Sequence, residues 1–142
     1  MATLEKGNKK LLNAWAFYDW ANSVYSLVIS TAVFPIYYSS MTASFANVEG
    51  DITFLGTQWN PTTLYDYTLS FSFLVVAFIS PILSGIADYT GNKLKFLKFF
   101  CLLGSLSVMS LFFFKDESTL WIALLFTITA SIGFWGSIVF YN

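Results

Sequence analysis

Residues 120–140 read LWIALLFTITASIGFWGSIVF, a run with no charged side chain. The hydrocarbon core of a bilayer is ~30 Å thick, and about 20 mostly apolar residues in a helix cross it. This stretch therefore reads as a transmembrane span. Three further runs read the same way. Residues 69–87 carry no charge, residues 96–114 carry only Lys98, and residues 11–38 are interrupted by Asn13, Asp19 and Asn22. With their ends included, the spans are placed at about 11–38, 67–88, 95–114 and 120–141, joined by a long connection over 39–66. The fold class expected is all-α and membrane-embedded, with four transmembrane helices. The first run is too long for a leader peptide, lacks a small-residue cleavage pattern, and is followed by more spans.

Composition agrees with lipid as the solvent. Of 142 residues, 56% are hydrophobic and 11% charged, well under the ~25% charged of an ordinary soluble domain. The sequence holds seven Lys, no Arg, eight acids, no His and one Cys, for a net charge of −1. Seven Lys against eight acids offer no basic face for nucleic acid. One Cys and no His leave no disulfide framework and no zinc site. Histidine acid–base chemistry is absent, and no phosphate-binding loop is present, since Gly85 and Gly91 are wrongly spaced and Lys93 does not adjoin Gly91. No catalytic residue, cofactor or metal is expected, and Cys101 reads as a packing residue.

Charge asymmetry orients the spans. Lys6, Lys9 and Lys10 precede the first, and Lys93, Lys95 and Lys98 lie between the second and third. The 39–66 connection holds Glu49, Asp51 and Asp66 and no Lys, and the next turn sets Lys115 against Asp116 and Glu117. The positive-inside rule places the N-terminus in the cytoplasm. Four spans then return the chain to the cytoplasmic side at Asn142 with no Lys and no soluble tail, so the chain reads as the N-terminal part of a longer protein.

Local signals accompany the spans. Pro61, Thr62 and Thr63 precede the second span, with Asp66 expected in its first turn, and residues 116–119 open the fourth. Trp15, Trp20, Tyr37, Tyr38, Tyr65, Tyr67, Trp121 and Tyr141 fall near span ends, as an aromatic belt would. The long connection carries Phe45, Phe54, Leu55 and Trp59 among polar residues, and either lies on the membrane surface or forms an ordered loop. Ala77, Ser80, Ser84 and Ala87 share one face of the second span, and Ala130, Gly133 and Ser137 one face of the fourth, which suits close helix packing in lipid. Pro81 predicts a kink in the second span.

Asp19 is the one acid well inside a span, eight residues past Leu11, or ~12 Å along a helix axis. Asp19, Asn22, Ser23, Ser26 and Ser30 fall at i, i+3, i+4, i+7 and i+11, a single helical stripe. A polar stripe on a spanning helix faces protein or water. Two readings stand: Asp19 snorkels to the cytoplasmic interface or pairs with a neighbouring helix, or the stripe lines a solute path and Asp19 binds a proton or a cationic group.

The turn between the second and third spans reads Ser84-Gly85-Ile86-Ala87-Asp88-Tyr89-Thr90-Gly91-Asn92-Lys93. Gly91 permits the reversal, since Gly readily takes positive φ. Asp88, Gly91 and Lys93, with Ile86 and Ala87, resemble the inter-helix signature of the major facilitator superfamily. Ser84 stands where that signature has Gly, and Tyr89 stands where it has Arg, which alters the usual Asp–Arg charge network. Span one narrows the likeness. Tyr18-Asp19-Trp20-Ala21-Asn22-Ser23 resembles the hallmark of the vacuole-effluxer-like branch, which includes fungal autophagy-related vacuolar amino-acid effluxers and many bacterial relatives. The stretch from Gly133 to Asn142 also looks like that branch.

The resemblance implies a twelve-helix major facilitator transporter, of which residues 1–142 would be the first third. It implies a central solute site with alternating access. Asp19, Asn22, Ser23 and Ser26 would then line the solute or proton pathway, joined by Trp135 and Asn142 from the fourth span. Asp88, Gly91 and Lys93 would form the cytoplasmic gate. The partners implied are the bilayer, a small solute and the remaining transporter helices. The function expected is a secondary transporter, an effluxer of small solutes such as amino acids, with proton coupling as an option. The use of Lys for every cation and the many Phe suggest an AT-rich bacterial genome, hence a bacterial inner membrane. The rival reading is a four-span structural or scaffold protein that assembles through its small-residue faces.

Overall fold

The computed structural model describes residues 8–91 and 93–141. Among the described residues, four helical stretches are long and apolar enough to cross a bilayer: Leu12–Phe45, Pro61–Ile86, Lys93–Phe113 and Glu117–Phe140. Residues up to Ile36 form one compact unit, and residues from Tyr37 onward form a second.

In the first unit, α1 (Lys9–Tyr25) opens on Asn8, whose side-chain Oδ1 accepts from the Lys10 N–H at 3.0 Å. A π-helical turn, Ser26–Thr31, follows, and α2 (Val33–Phe45) begins after a break at Ala32, where φ is −122° and ψ −71°. In the wide turn the Ala32 N–H reaches back five residues to the Leu27 carbonyl at 3.0 Å. The Thr31 hydroxyl donates to the Ser26 and Leu27 carbonyls, each at 3.1 Å. Pro35 supplies the reason. It has no N–H for the Thr31 carbonyl, and its ring crowds that carbonyl, so a straight helix cannot pass. Breaking at Ala32 puts Pro35 in the first turn of α2, where its missing donor costs nothing. The expected single helix over 11–38 is thus two helices around a wide turn, and the second runs on to Phe45 where a loop was expected from residue 39.

The second unit comprises residues 37–45 of α2, a two-stranded hairpin of β1 (Ile52–Phe54) and β2 (Thr57–Trp59), then α3 (Pro61–Thr90), α4 (Lys93–Ser110) and α5 (Leu120–Tyr141). α5 packs against both α3 and α4, which scarcely touch each other. Glycine decides the α4–α5 seam. A Cβ on Gly133 would lie 2.5 Å from the Gly104 nitrogen and 2.9 Å from the Phe100 carbonyl oxygen, so only glycine lets the backbones meet. Gly136 similarly accepts the Phe100 ring, which stacks on Phe140 at 5.7 Å. Dispersion between closely approaching backbones replaces the hydrophobic drive that lipid removes. The small face of the fourth span is therefore an interface, with Ala130 and Ser137 buried, and Gly104 is its partner.

The small face of the second span behaves differently. Ala77 is exposed, and Ser80 and Ser84 are half-buried. α3 instead buries Leu64, Tyr65, Thr68 and Ser72, nearer its start. Its helix runs unbroken through Pro81. The cap of α3 also differs from expectation. Asn60 is the capping residue, its Oδ1 accepting from the Thr62 and Thr63 N–H groups at 3.1 and 3.3 Å, and Pro61 is the first helical residue, where its lack of an N–H is harmless. Asp66 thus falls past the first turn. At the start of α5 the Thr119 hydroxyl accepts from the Asp116 N–H at 2.9 Å and donates to the Asp116 carbonyl at 2.8 Å, closing a 3₁₀ turn over Glu117–Thr119.

The connection between α2 and α3 is ordered. Asn47 organises its first turn, its Oδ1 accepting from the Glu49 and Asp51 N–H groups at 3.0 and 2.8 Å. The strands pair antiparallel in the register Ile52↔Trp59, Thr53↔Gln58 and Phe54↔Thr57. The loop between them is two residues, Leu55 at φ +52° and Gly56 at φ +79°. Positive φ at both positions matches the type I′ turn of tight hairpins, where Asn-Gly is favoured. A bulky residue held there costs on the order of 1 kcal/mol.

An aromatic core joins α2, the start of α3 and the segment after α4. Phe114 is 0% exposed, and Tyr38 stacks on it at 5.9 Å between ring centroids. Tyr65 lies 5.1 Å from the Tyr38 ring, and the Tyr37 hydroxyl donates to the Phe114 carbonyl at 2.6 Å. Ile52 of β1 is also buried. Tyr38 and Tyr65 are therefore core residues rather than belt residues. Position near a span end marks an aromatic for an interface only when its side chain points outward. Tyr67 and Trp121 do point outward and are more than half exposed. The side chain of Tyr141 lies outside the described residues.

Candidate functional site

The polar stripe lies wholly in the first unit. Asp19, Asn22 and Ser23 sit on α1, and Ser26 opens the π-helical turn. Asp19, Ser23 and Ser26 are exposed in this chain, and Asn22 and Ser30 are half-buried. The Ser23 hydroxyl donates to the Asp19 backbone carbonyl at 3.1 Å, which leaves the Asp19 carboxylate unengaged by that contact. The stripe keeps α-helical spacing as far as Ser26. Beyond it the wider turn rotates Ser30 off the line set by Asp19. The change of pitch was readable from Pro35, nine residues past Ser26, but a count of spacing alone passes over it.

The second group lies at the far end of α3. Gly91 ends the helix with φ +64°, and nothing lies within 4 Å of where its Cβ would stand, so conformation rather than space calls for glycine. The reversal brings Lys93, the first residue of α4, back to Asp88, with Nζ 2.8 Å from Oδ1. Both side chains are more than half exposed. Tyr89, where the superfamily signature has Arg, points into open space.

These two charges oppose the helices that carry them. Asp88 lies in the last turn of α3, where the helix dipole favours a cation, and Lys93 opens α4, where it favours an anion. Pairing across the turn offsets that, but an exposed pair is worth only about 0–1 kcal/mol. Helix stability therefore does not account for the arrangement. Of the fourth-span residues, Trp135 is partly exposed and meets the Phe73 ring of α3 edge-on at 5.9 Å. Asn142 lies outside the described residues.

Four apolar spans, an acid within the first and a glycine-hinged ion pair at one membrane face define a multi-pass integral membrane protein with part of a major facilitator fold. The family model described as vacuole effluxer Atg22 like matches residues 7–142, and the chain belongs to that family. It is 42% identical over 131 residues to the protein named "Uncharacterized MFS-type transporter YxiO" of Bacillus subtilis (strain 168), a match that covers 92% of this chain and 28% of that relative. The chain thus spans little more than a quarter of the relative's length. No solved structure matches.

Proposed function

We propose that the chain contributes the first four spans of a secondary transporter that exports small solutes by alternating access, with amino acids as the solute class and protons as the coupling ion. The polar stripe on α1 carries this reading. A carboxylate near mid-membrane costs about 2.5–3.5 kcal/mol on insertion scales, and such residues mark ion and solute paths. Asp19 is the proton-binding group on this reading, and Asn22, Ser23 and Ser26 supply hydrogen bonds along the path. The Asp88–Lys93 pair closes the cytoplasmic side in one state and opens in the other, which suits charges placed against their own helix dipoles. The Lys distribution supports a cytoplasmic N-terminus, and the membrane is taken to be a bacterial inner membrane. A free-standing four-span scaffold has no specific observation in its favour.

The test is flux through the full-length protein in proteoliposomes under an imposed proton gradient, with the common amino acids as solutes. Asp19→Asn is expected to abolish gradient-driven flux while the protein keeps a monodisperse elution profile and a native unfolding midpoint. Undiminished gradient-driven flux in that variant overturns the coupling role. Loss of the folded protein instead assigns Asp19 to structure.

A further inference from the structure

The tip of the hairpin carries a contradiction. A two-residue turn with positive φ at both positions is the setting for Asn-Gly, yet its first position holds Leu55 at φ +52°. Its side chain gains no packing within the chain to offset that conformation, since Leu55 is 89% exposed. Val48, in the same connection, is also wholly exposed. A strained backbone at a bulky apolar residue points to a role for the side chain outside the chain itself.

The surroundings indicate what it meets. The hairpin stands between α2 and α3 in the chain, and Ile52 at the base of β1 is buried. Leu55 is three residues further, ~10 Å at the rise of a strand. Across from Ile52, Trp59 meets Tyr67 edge-on at 6.2 Å, and Tyr67 is an exposed ring on the first turns of a membrane span. Trp and Tyr so placed mark the headgroup level of a bilayer. The hairpin base therefore sits at the membrane interface, and its tip is within one short strand of it. Both acids of the connection, Glu49 and Asp51, precede β1 rather than lie at the tip, so no charge opposes insertion there.

We propose that the Leu55 tip is a lipid anchor, inserting into the headgroup–acyl boundary of the surrounding bilayer and holding the hairpin at the membrane interface. The partner is the lipid surface, through apolar contact and not through a particular headgroup. The anchor holds whichever solute the transporter moves.

The test places a nitroxide at residue 55 (Leu55→Cys) of the full-length protein in nanodiscs, with every native cysteine, Cys101 among them, replaced by Ser. A nitroxide at Glu49→Cys serves as the aqueous reference. Collisional relaxation by oxygen, which partitions into lipid, and by a water-soluble nickel chelate is then compared. The anchor predicts an oxygen-to-nickel accessibility ratio several-fold higher at residue 55 than at residue 49. Equal ratios, or a residue-55 label shielded from both reagents and immobilised by protein, overturn it. Leu55→Asn gives an independent check, because Asn suits the turn better than Leu. The hairpin is expected to persist while a nitroxide at Thr53 gains nickel accessibility; no gain at Thr53 overturns the anchor.

Discussion

The two ends of the second unit are built on different principles. At the hairpin end, Tyr38 packs on Tyr65 and Phe114, all three are buried, and the Tyr37 hydroxyl holds the Phe114 carbonyl. At the other end, α3 and α4 are joined by one glycine in a left-handed conformation and one exposed ion pair. The first end is held by contact area; toward the second, Phe100 and Phe140 are also buried, with Leu83, Phe96 and Leu97 packed against them, but the α3–α4 turn itself is held by a backbone angle and a screened charge pair. On the function proposed above, a turn held this lightly can open while the buried aromatic core at the other end stays intact.

The largest expected effect is at the buried end. Phe114→Ala removes a ring that is 0% exposed and leaves Tyr37 and Tyr38 facing a cavity, and should destabilise the protein by about 3–5 kcal/mol. Chemical unfolding in detergent micelles measures it, and a loss below 1 kcal/mol would show that this core is not what holds the end together. At the opposite end Gly91→Ala meets no steric obstacle but must hold φ +64°, which costs about 1 kcal/mol. The same unfolding measurement should find this smaller loss, and amide exchange should rise around residues 88–95 before it rises elsewhere. Asp88→Asn should have the smallest effect on stability, about 0–1 kcal/mol and less at high salt, because the pair is exposed. Its transport rate should nonetheless fall. A variant that loses stability as Phe114→Ala does, with transport intact, would erase the contrast between the two ends.

Much of this architecture was legible in the residues. Spans show in uninterrupted apolar length, because lipid leaves a backbone no other way to satisfy its hydrogen bonds than a long helix. The positive φ of Gly91 and the common face of Ala130, Gly133 and Ser137 follow from local conformation and helical spacing. The capping role of Asn60 was overlooked in favour of the residues after it, although Asn before Pro is a recognisable start signal. The π-helical turn was also missed, and Pro35 was its signal. Other features had no local signal. Nothing near Tyr38 or Tyr65 distinguishes a ring pointing into the bundle from one pointing to the interface, and nothing in the fourth span names Gly104 as the partner of Gly133.

The candidate site divides along the same line. The stripe from Asp19 to Ser26 is a property of spacing on one helix and could be read directly. That Lys93 reaches back to Asp88, with each charge set against its helix dipole, required the turn to be folded. By itself the sequence determined what the chain is made of: four lipid-length helices, a polar stripe on the first and a glycine reversal, all set by contacts within a few residues. Only the tertiary structure decided that α5 lies against both α3 and α4, that Tyr38 and Tyr65 are buried while the Asp88–Lys93 pair is exposed, and that a leucine stands strained at a hairpin tip. Those depend on which surfaces meet, and meeting is settled by complementarity between distant segments that no local pattern encodes.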